Sequence, residues 1–401
     1  MNYLYKCNKC KEEFSSREIE ENFHYLCPKC GKADRNKPLE GVLEIVYDFD
    51  ALKKRLKREE FLKLSPGKFW LYPDLWPINF TKFNDDQLTK VALPENQFQK
   101  YEIDGRKIFV QDETRNPTFS YKDRATSLVV LKAMEMGIRE LAAASTGNAG
   151  SSLAGICARL RLKPRIYVPK NIPQAKRIQI EAYGAKLVVV DGDYDKAFDV
   201  CLEESKKNKW YNRNTAYNPL TIEGKKSAAY DIFISSKGEI PEVIFIPVGD
   251  GVIISGIYKG FKELLILGWI EKVPKLVAVQ SSGSDTVIRY IESGKFEYKK
   301  ANTIADSISA GAPRNLYMAA EAVNESNGFG ISVNDEEILF AQKEFIKRTG
   351  ILCEPSSASV YVAYKRLKSE NKINSSEKIL LLITGNGLKD MEALKSKQIN
   401  V

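Results

Sequence analysis

One lysine stands where an unprotonated amine could be made. Lys122 lies in Asn116-Pro117-Thr118-Phe119-Ser120-Tyr121-Lys122-Asp123-Arg124, between an apolar run ending near Val110 and an amphipathic stretch. Pro117 and Ser120 are turn and N-cap residues. The lysine then falls in a first helical turn, where the positive end of the helix dipole disfavours its protonation. Such a lysine can form a Schiff base with a carbonyl compound. Taken alone, it also reads as a surface lysine paired with Asp123. The single histidine, His24, sits far upstream among cysteines. A Ser-His-Asp or Cys-His hydrolase is therefore excluded over the rest of the chain, as is a histidine-rich catalytic metal site. A general base must be Lys, Asp, Glu, Tyr or a thiol.

Two further loops offer backbone donors to an anion. Ala144-Ser145-Thr146-Gly147-Asn148-Ala149-Gly150 joins a strand-like run to an apolar helix. Its small residues can present N–H groups to a carboxylate or a phosphate; a well-capped helix start would look the same. Pro247-Val248-Gly249-Asp250-Gly251-Val252-Ile253 follows the clearest apolar run. Gly-x-Gly after a strand cradles phosphate in many folds, though it is weak alone. The Walker lysine and the dinucleotide glycine spacing are missing, and Asp250 argues against a polyphosphate. A fourth loop, Thr384-Gly385-Asn386-Gly387-Leu388-Lys389-Asp390, ends the last apolar run and by itself needs only a tight turn.

Four of the seven cysteines form two Cys-x-x-Cys pairs, Cys7/Cys10 and Cys27/Cys30, sixteen residues apart. Each pair can reach one side of a tetrahedral ion from a tight knuckle, with Pro28 and Gly31 supplying turn chemistry. The expectation is a structural Zn2+ in a ribbon over residues 1–38, because four thiolates leave no open coordination position. A redox dithiol or a nucleic-acid-binding ribbon are the alternatives. No basic-aromatic strip accompanies the pairs, so no nucleic-acid partner is expected. Cys157, Cys201 and Cys353 are isolated and read as buried or semi-buried thiols. This usage suits a reducing compartment.

The elements that must position these loops follow from periodicity. Strand-like runs recur at 107–110, 141–144, 165–168, 187–190, 243–248, 276–279 and 379–383, with amphipathic stretches such as 121–136 and 335–349 between them. That alternation describes an α/β protein with buried, largely parallel strands, whose ligands sit outside the carboxyl ends of the strands. Residues 51–64 read as a charged amphipathic helix. The aromatic-proline clusters at 69–73 and 75–77 read as packing at a domain edge. The 401 residues, 43% of them hydrophobic, suffice for a large core in two or three domains. The net charge of +9 is dispersed, as on a solvated surface, and suits anionic small molecules. No apolar signal core is present, nor a run of about 18 apolar residues. A soluble, cytoplasmic protein with no membrane partner is expected.

Together and in order, these segments resemble the fold-type II pyridoxal-phosphate (PLP) enzymes, the threonine synthases in particular. Residues 116–124 resemble the family's Asn-Pro-Thr-Gly-Ser-Phe-Lys-Asp-Arg. Residues 145–148 resemble its asparagine loop, 247–251 its cofactor-phosphate loop, 354–358 its Glu-Pro-Ala-Ser-Ala, and 384–390 the ending most characteristic of threonine synthases. The similarity spans about Asn116 to Asp390, and an N-terminal zinc ribbon occurs in some members.

The resemblance implies two three-layer α/β lobes over residues 39–401, the smaller lobe, roughly 125–215, nested in the larger. Lys122 would carry PLP as a Schiff base and then act as the base at the substrate's α-carbon. Asn148 would contact the cofactor's phenolic oxygen and Thr384 its pyridine nitrogen. The N–H groups of Gly249, Asp250, Gly251, Val252 and Ile253 would hold its phosphate. Ser145, Thr146 and Gly147 would take the carboxylate of a small amino-acid substrate. The implied reaction turns O-phospho-L-homoserine and water into L-threonine and phosphate, in a homodimer.

One segment departs from the family. Where threonine synthases read Asn-Ser-x-Asn-Pro-x-Arg-x-x-Gly-Gln-Lys-Thr, residues 214–227 carry one extra residue after Thr215, and Thr221 replaces the arginine that grips the substrate phosphate. Ala149 and Phe119 replace a common threonine and a glycine. Asn214, Thr215 and Lys225 are expected at the substrate, with Lys225 or Lys226 compensating as point charges. Loss of the arginine also suits β-elimination or β-replacement on serine, threonine, diaminopropionate or phosphoserine, or a cysteate-synthase-like activity.

Overall fold

The computed structural model describes residues 3–395 apart from Thr146, Asn171, Pro173 and Asp193. Its strands fall into three sheets. The first is antiparallel, in the order β2-β1-β3, from β1 (Tyr3–Cys7), β2 (Glu13–Ser15) and β3 (Leu43–Tyr47). Its third strand comes from beyond residue 38, because Leu43 and Ile45 alternate inward and pair in register with Cys7 and Tyr5.

The large sheet takes β4 (Phe98–Ile103), β5 (Arg106–Asp112), β10 (Val243–Pro247), β11 (Lys275–Ser281), β12 (Phe329–Val333) and β13 (Ile379–Ile383). Their order is β12-β11-β10-β13-β5-β4. Only the β4–β5 hairpin is antiparallel. Its turn, Asp104-Gly105, has positive φ at both residues, as a two-residue hairpin with strand-matching twist requires. Every residue of β10 and of β13 is buried, which explains their unbroken apolar runs: helices cover both faces. The small sheet is parallel, in the order β8-β7-β6-β9, from β6 (Glu140–Ala144), β7 (Lys163–Pro169), β8 (Lys186–Val190) and β9 (Tyr211–Asn212). This is the α/β architecture of two sheet-and-helix lobes.

The charged helix expected at 51–64 is instead two pieces, Phe49–Arg55 and Arg58–Phe61, broken where Leu56 turns to an extended ψ of 136°. The break lets Phe61 drop into an aromatic cluster, 5.0 Å from Tyr72 and 4.9 Å from Trp269 by ring centroids. Trp76 is fully buried beside them, so the aromatic-proline clusters do pack. Among the described residues, no helix is long and apolar enough to cross a membrane.

Candidate active site

The loops after β5, β6, β10 and β13 converge on one cavity of about 490 Å³, lined by Lys122, Asn148, Thr384 and residues 247–254 among others. Lys122 opens the helix Lys122–Glu135, and its neighbours hold that helix in place. The buried Asp123 carboxylate accepts from Thr118 N (2.7 Å) and Ser152 Oγ (2.6 Å). Arg124 is fully buried between Glu113 (2.7 Å) and Asp231 (2.6 Å). Backbone bonds tie this loop to the last one: Tyr121 N donates to the Thr384 carbonyl (2.8 Å) and Asn386 N to the Phe119 carbonyl (3.0 Å). Phe119 has φ 68°, in the left-handed region where the resembling sequences carry glycine.

The Lys122 amine has no hydrogen-bond or ion-pair partner among the described residues, and the residue lines the cavity. Burial pushes its amine below the usual lysine range. The charges of Arg213 and Lys176 push the same way, against Glu354 and Asp250. The lowering enlarges the share of neutral amine, the form that condenses with a carbonyl.

The loop after β10 leads into the helix Val252–Ile266 through Gly251, whose φ is 85°. A Cβ on Gly251 would lie 2.6 Å from the Ala319 methyl, so only glycine fits. Among the described residues, no N–H from Gly249 to Ile253 has a backbone partner. Five free donors at a helix N-terminus make an anion cradle. Asp250 does not intrude on it: its Oδ1 accepts from Arg314 N at 3.2 Å.

Asn148 begins the helix Asn148–Arg159. Its Nδ2 donates to Ser307 Oγ (2.9 Å) and Glu354 Oε2 (2.9 Å), and its Oδ1 accepts from Lys389 Nζ (2.9 Å). Thr384 Oγ1 lies 3.2 Å from Ser357 Oγ. Ser145 and Gly147 line the cavity, with Gly147 N donating to Ser145 Oγ (3.1 Å). Thr146 lies outside the described residues.

The divergent segment divides. Thr215 and Lys225 line the cavity. Asn214 does not: its Oδ1 accepts from Ala144 N (2.7 Å), which ties the segment to β6. Lys226 points away, buried in an ion-pair group with Glu223 and Glu263 (2.9 Å). Thr221 is the second residue of the helix Leu220–Ser235. Its hydroxyl donates to the Asn218 carbonyl (2.8 Å) and accepts from Ala216 N (3.1 Å). Ala216 sits at φ 63°, which is how the chain absorbs the extra residue.

Sequence reasoning passed over Arg213, Glu354, Ser307 and Lys389. Arg213 is fully buried, donates to Thr126 Oγ1 (3.2 Å) and Thr215 Oγ1 (3.1 Å), and has no partner for Nη2. Its charge helps drive the Lys225 amine well below the usual lysine range, after burial itself. Glu354 and Lys389 lay inside recognised motifs; nothing in the spacing showed which way their side chains turn.

The four clustered cysteines offer sulfurs within 4.8 Å of one another. Cys7 and Cys30 are 3.4 Å apart, Cys10 and Cys27 3.7 Å. The edge of a tetrahedron with Zn–S bonds of about 2.3 Å is ~3.8 Å, so the set fits a structural zinc. Cys157, Cys201 and Cys353 are buried. The ribbon is fastened to the cavity wall by Arg314. That side chain donates to the Asp34 (3.1 Å) and Lys37 (3.0 Å) carbonyls and pairs with Asp195, a cavity residue.

Comparison with known proteins agrees with this chemistry. A profile of pyridoxal-phosphate dependent enzymes matches residues 93–385. A threonine synthase of Methanocaldococcus jannaschii is 34% identical over 97% of this chain and 94% of its own length. One of Methanosarcina acetivorans is 31% identical over 98% and 93%. Among solved structures, a pyridoxal 5'-phosphate-dependent aspartate racemase covers 80% of this chain and 99% of its own, with 20% identity and a TM-score of 0.66. Diaminopropionate ammonia lyase from Escherichia coli covers 77% and 90%, with 17% identity and a TM-score of 0.64. At those identities the structures speak for the fold alone. A cavity-facing lysine without an ion pair among the described residues, an anion cradle and kinship to threonine synthases over 97% of this chain converge, and the chain belongs to the fold-type II pyridoxal-phosphate dependent enzymes.

Proposed function

We propose that the protein converts O-phospho-L-homoserine and water to L-threonine and phosphate. The observation that carries this reading is Lys225. Its amine has no hydrogen-bond or ion-pair partner among the described residues, and the residue lines the cavity one helical turn beyond Thr221. The cation absent at 221 is thus present at 225, where the family pattern has glutamine, and Arg213 lies behind it. An uncompensated buried cation costs stability, so its retention argues for an anionic ligand. The threonine synthases that share a third of this sequence support the same reading.

The cofactor, when bound, supplies an electron sink for charge left at the substrate's Cα. Gly249 to Ile253 would hold its phosphate through backbone N–H groups, with Asn148 for its phenolic oxygen and Thr384 for its ring nitrogen. Ser145, Thr146 and Gly147 hold the substrate carboxylate. Lys122, as a free amine, takes the Cα proton. Lys225 and Thr215 would hold the substrate phosphate until it departs from Cγ; a proton leaves Cβ and one is gained at Cγ, the hydroxyl of water adds at Cβ, and Lys122 returns the proton to Cα. A cytoplasmic homodimer belongs to the same proposal.

A second reading, β-elimination or β-replacement on a smaller amino acid, is favoured by the missing arginine at 221. One assay separates them. The PLP-loaded protein with O-phospho-L-homoserine should release phosphate and threonine in equal amounts, and Lys122→Ala should release neither. A yellow protein that yields neither product but makes ammonia or a replacement product from serine would establish the second reading.

A further inference from the structure

Lys389 and Leu388 invert what hydropathy demands. Leu388 is 58% exposed and Lys389 5%. Burying a lysine while exposing its leucine neighbour costs stability unless the ammonium has work to do. Lys389 ends a single turn, Gly387–Lys389, that is held from both sides: Gly387 N donates to the Leu352 carbonyl (3.0 Å) and Asn386 Nδ2 to the Thr114 carbonyl (3.2 Å). The turn delivers Nζ to two acceptors, Asn148 Oδ1 (2.9 Å) and Ser151 Oγ (3.0 Å).

An ammonium has donors only. Against it, the Asn148 amide can present only its oxygen, so its nitrogen must point the other way. There Nδ2 meets Ser307 Oγ and the Glu354 carboxylate. The carboxylate fits because residue 385 is glycine: a Cβ there would lie 2.2 Å from Glu354 Oε2. Amide and carboxylate are thus aligned as donor and acceptor, with a cation at one end.

We propose that Lys389 is a positioning residue for the cofactor: its ammonium locks the Asn148 amide nitrogen toward the cavity and keeps a positive charge behind the edge that carries the phenolic oxygen. This rests on the placement of Asn148 at that oxygen and not on which amino acid reacts. A phenolate is stabilised by the charge, and a neutral phenol is not. Besides Asn148 and Ser151, the charged groups facing Lys389 are Glu354, Asp123, Lys176 and Lys122. Burial, ahead of those charges, lowers its amine to about 8.

The test is the absorption of the PLP-loaded protein at neutral pH without substrate. The ionic form of the cofactor's link to Lys122 absorbs in the visible, the neutral form in the near ultraviolet. Lys389→Met should lower the visible-to-ultraviolet ratio about tenfold, the effect of one nearby charge in a protein interior. It should also weaken PLP binding by about tenfold or more through the lost charged hydrogen bond. Lys389→Arg should restore the ratio; Lys389→Gln, which keeps a donor without charge, should not. Asn148→Ala is the control. If Asn148→Ala shifts the ratio while Lys389→Met and Lys389→Gln leave it at the wild-type value, the role of Lys389 is overturned. If Asn148→Ala leaves it unchanged, the placement of Asn148 falls, and the proposal with it. If Lys389→Met does not fold, Lys389→Gln and Lys389→Arg decide the matter alone.

Discussion

Lys225 and Lys226 are adjacent in one helix, and both are buried, yet their ammonium groups have opposite surroundings. Lys226 is enclosed by Glu223 and Glu263, with its charge 4.4 Å from the Tyr47 ring centroid. Lys225 has no ion-pair partner among the described residues, feels the Asp250 carboxylate only at a distance, and fronts the cavity; its backbone carbonyl accepts from the Tyr121 hydroxyl at 2.8 Å. One lysine is paired within the fold; the other is the cation that the proposed function assigns to the substrate phosphate.

Lys225→Ala should therefore act on the substrate and not on the cofactor. With O-phospho-L-homoserine, kcat/KM should fall ~10- to 100-fold, the worth of a hydrogen bond to a charged group. PLP absorbance should be kept, and Lys225→Arg should recover most of the loss. Steady-state kinetics beside a cofactor titration checks this; equal kcat/KM in wild type and Lys225→Ala would remove Lys225 from the substrate site.

The same lysine sets a pH dependence of stability. Its folded-state pKa lies below the unfolded value, so between the two the unfolded chain binds the extra proton. Stability contributed by this group rises with pH and levels off near the ordinary lysine value. Without cofactor, Lys225→Met should thus be more stable than wild type at neutral pH, and the gap should shrink toward pH ~10.5. Urea melts at several pH values measure the gap; a constant difference contradicts the account.

At Phe119 the backbone is left-handed and the ring is 42% exposed. Glycine relieves about 1–2 kcal/mol of steric cost there and gives back roughly 0.5–1 kcal/mol in unfolded-chain entropy. Phe119→Gly should be as stable as wild type or slightly more so, whereas Phe119→Val should lose about 1 kcal/mol or more. Thermal melts of the three proteins rank them.

The ribbon should hold about one zinc per chain, measurable by elemental analysis. Stripping it with a chelator, or replacing Cys27 by serine, should loosen the Asp34 and Lys37 carbonyls that anchor Arg314. Cofactor retention should then weaken along with thermal stability, because Arg314 N holds Asp250 in the phosphate loop. A metal-free protein that keeps its colour and melting temperature would show that ribbon and site are independent.

The sequence made the skeleton of this site visible and hid its wiring. All seven strand-like runs fall on strands; those at 243–248 and 379–383 are apolar throughout because their strands are buried on both faces, while the run at 187–190 lies on a partly exposed strand. β4, β9 and β12 escaped notice: β9 has two residues, β4 mixes exposed and buried positions at a sheet edge, and β12 opens with an exposed phenylalanine and a glycine. The helix over 51–64 failed because its break serves a distant aromatic cluster and not a local preference. Loop position told where Lys122 and Thr384 would be. It could not tell that Lys389 turns inward, because Leu388 beside it is the apolar residue, nor that Asn214 spends its oxygen on Ala144.

β13 is the last strand made and lies at the middle of the large sheet, between β10 and β5. Until it emerges, β5 and β10 have no common neighbour, and the loops bearing Lys122 and the anion cradle have nothing to fix their separation. During synthesis Lys122 is thus made well before Ile379–Ile383, and the pocket that shields it waits for that strand. Aldehydes met in that interval would find an ordinary lysine, charged in water, and the setting that lowers its pKa is completed only when β13 inserts.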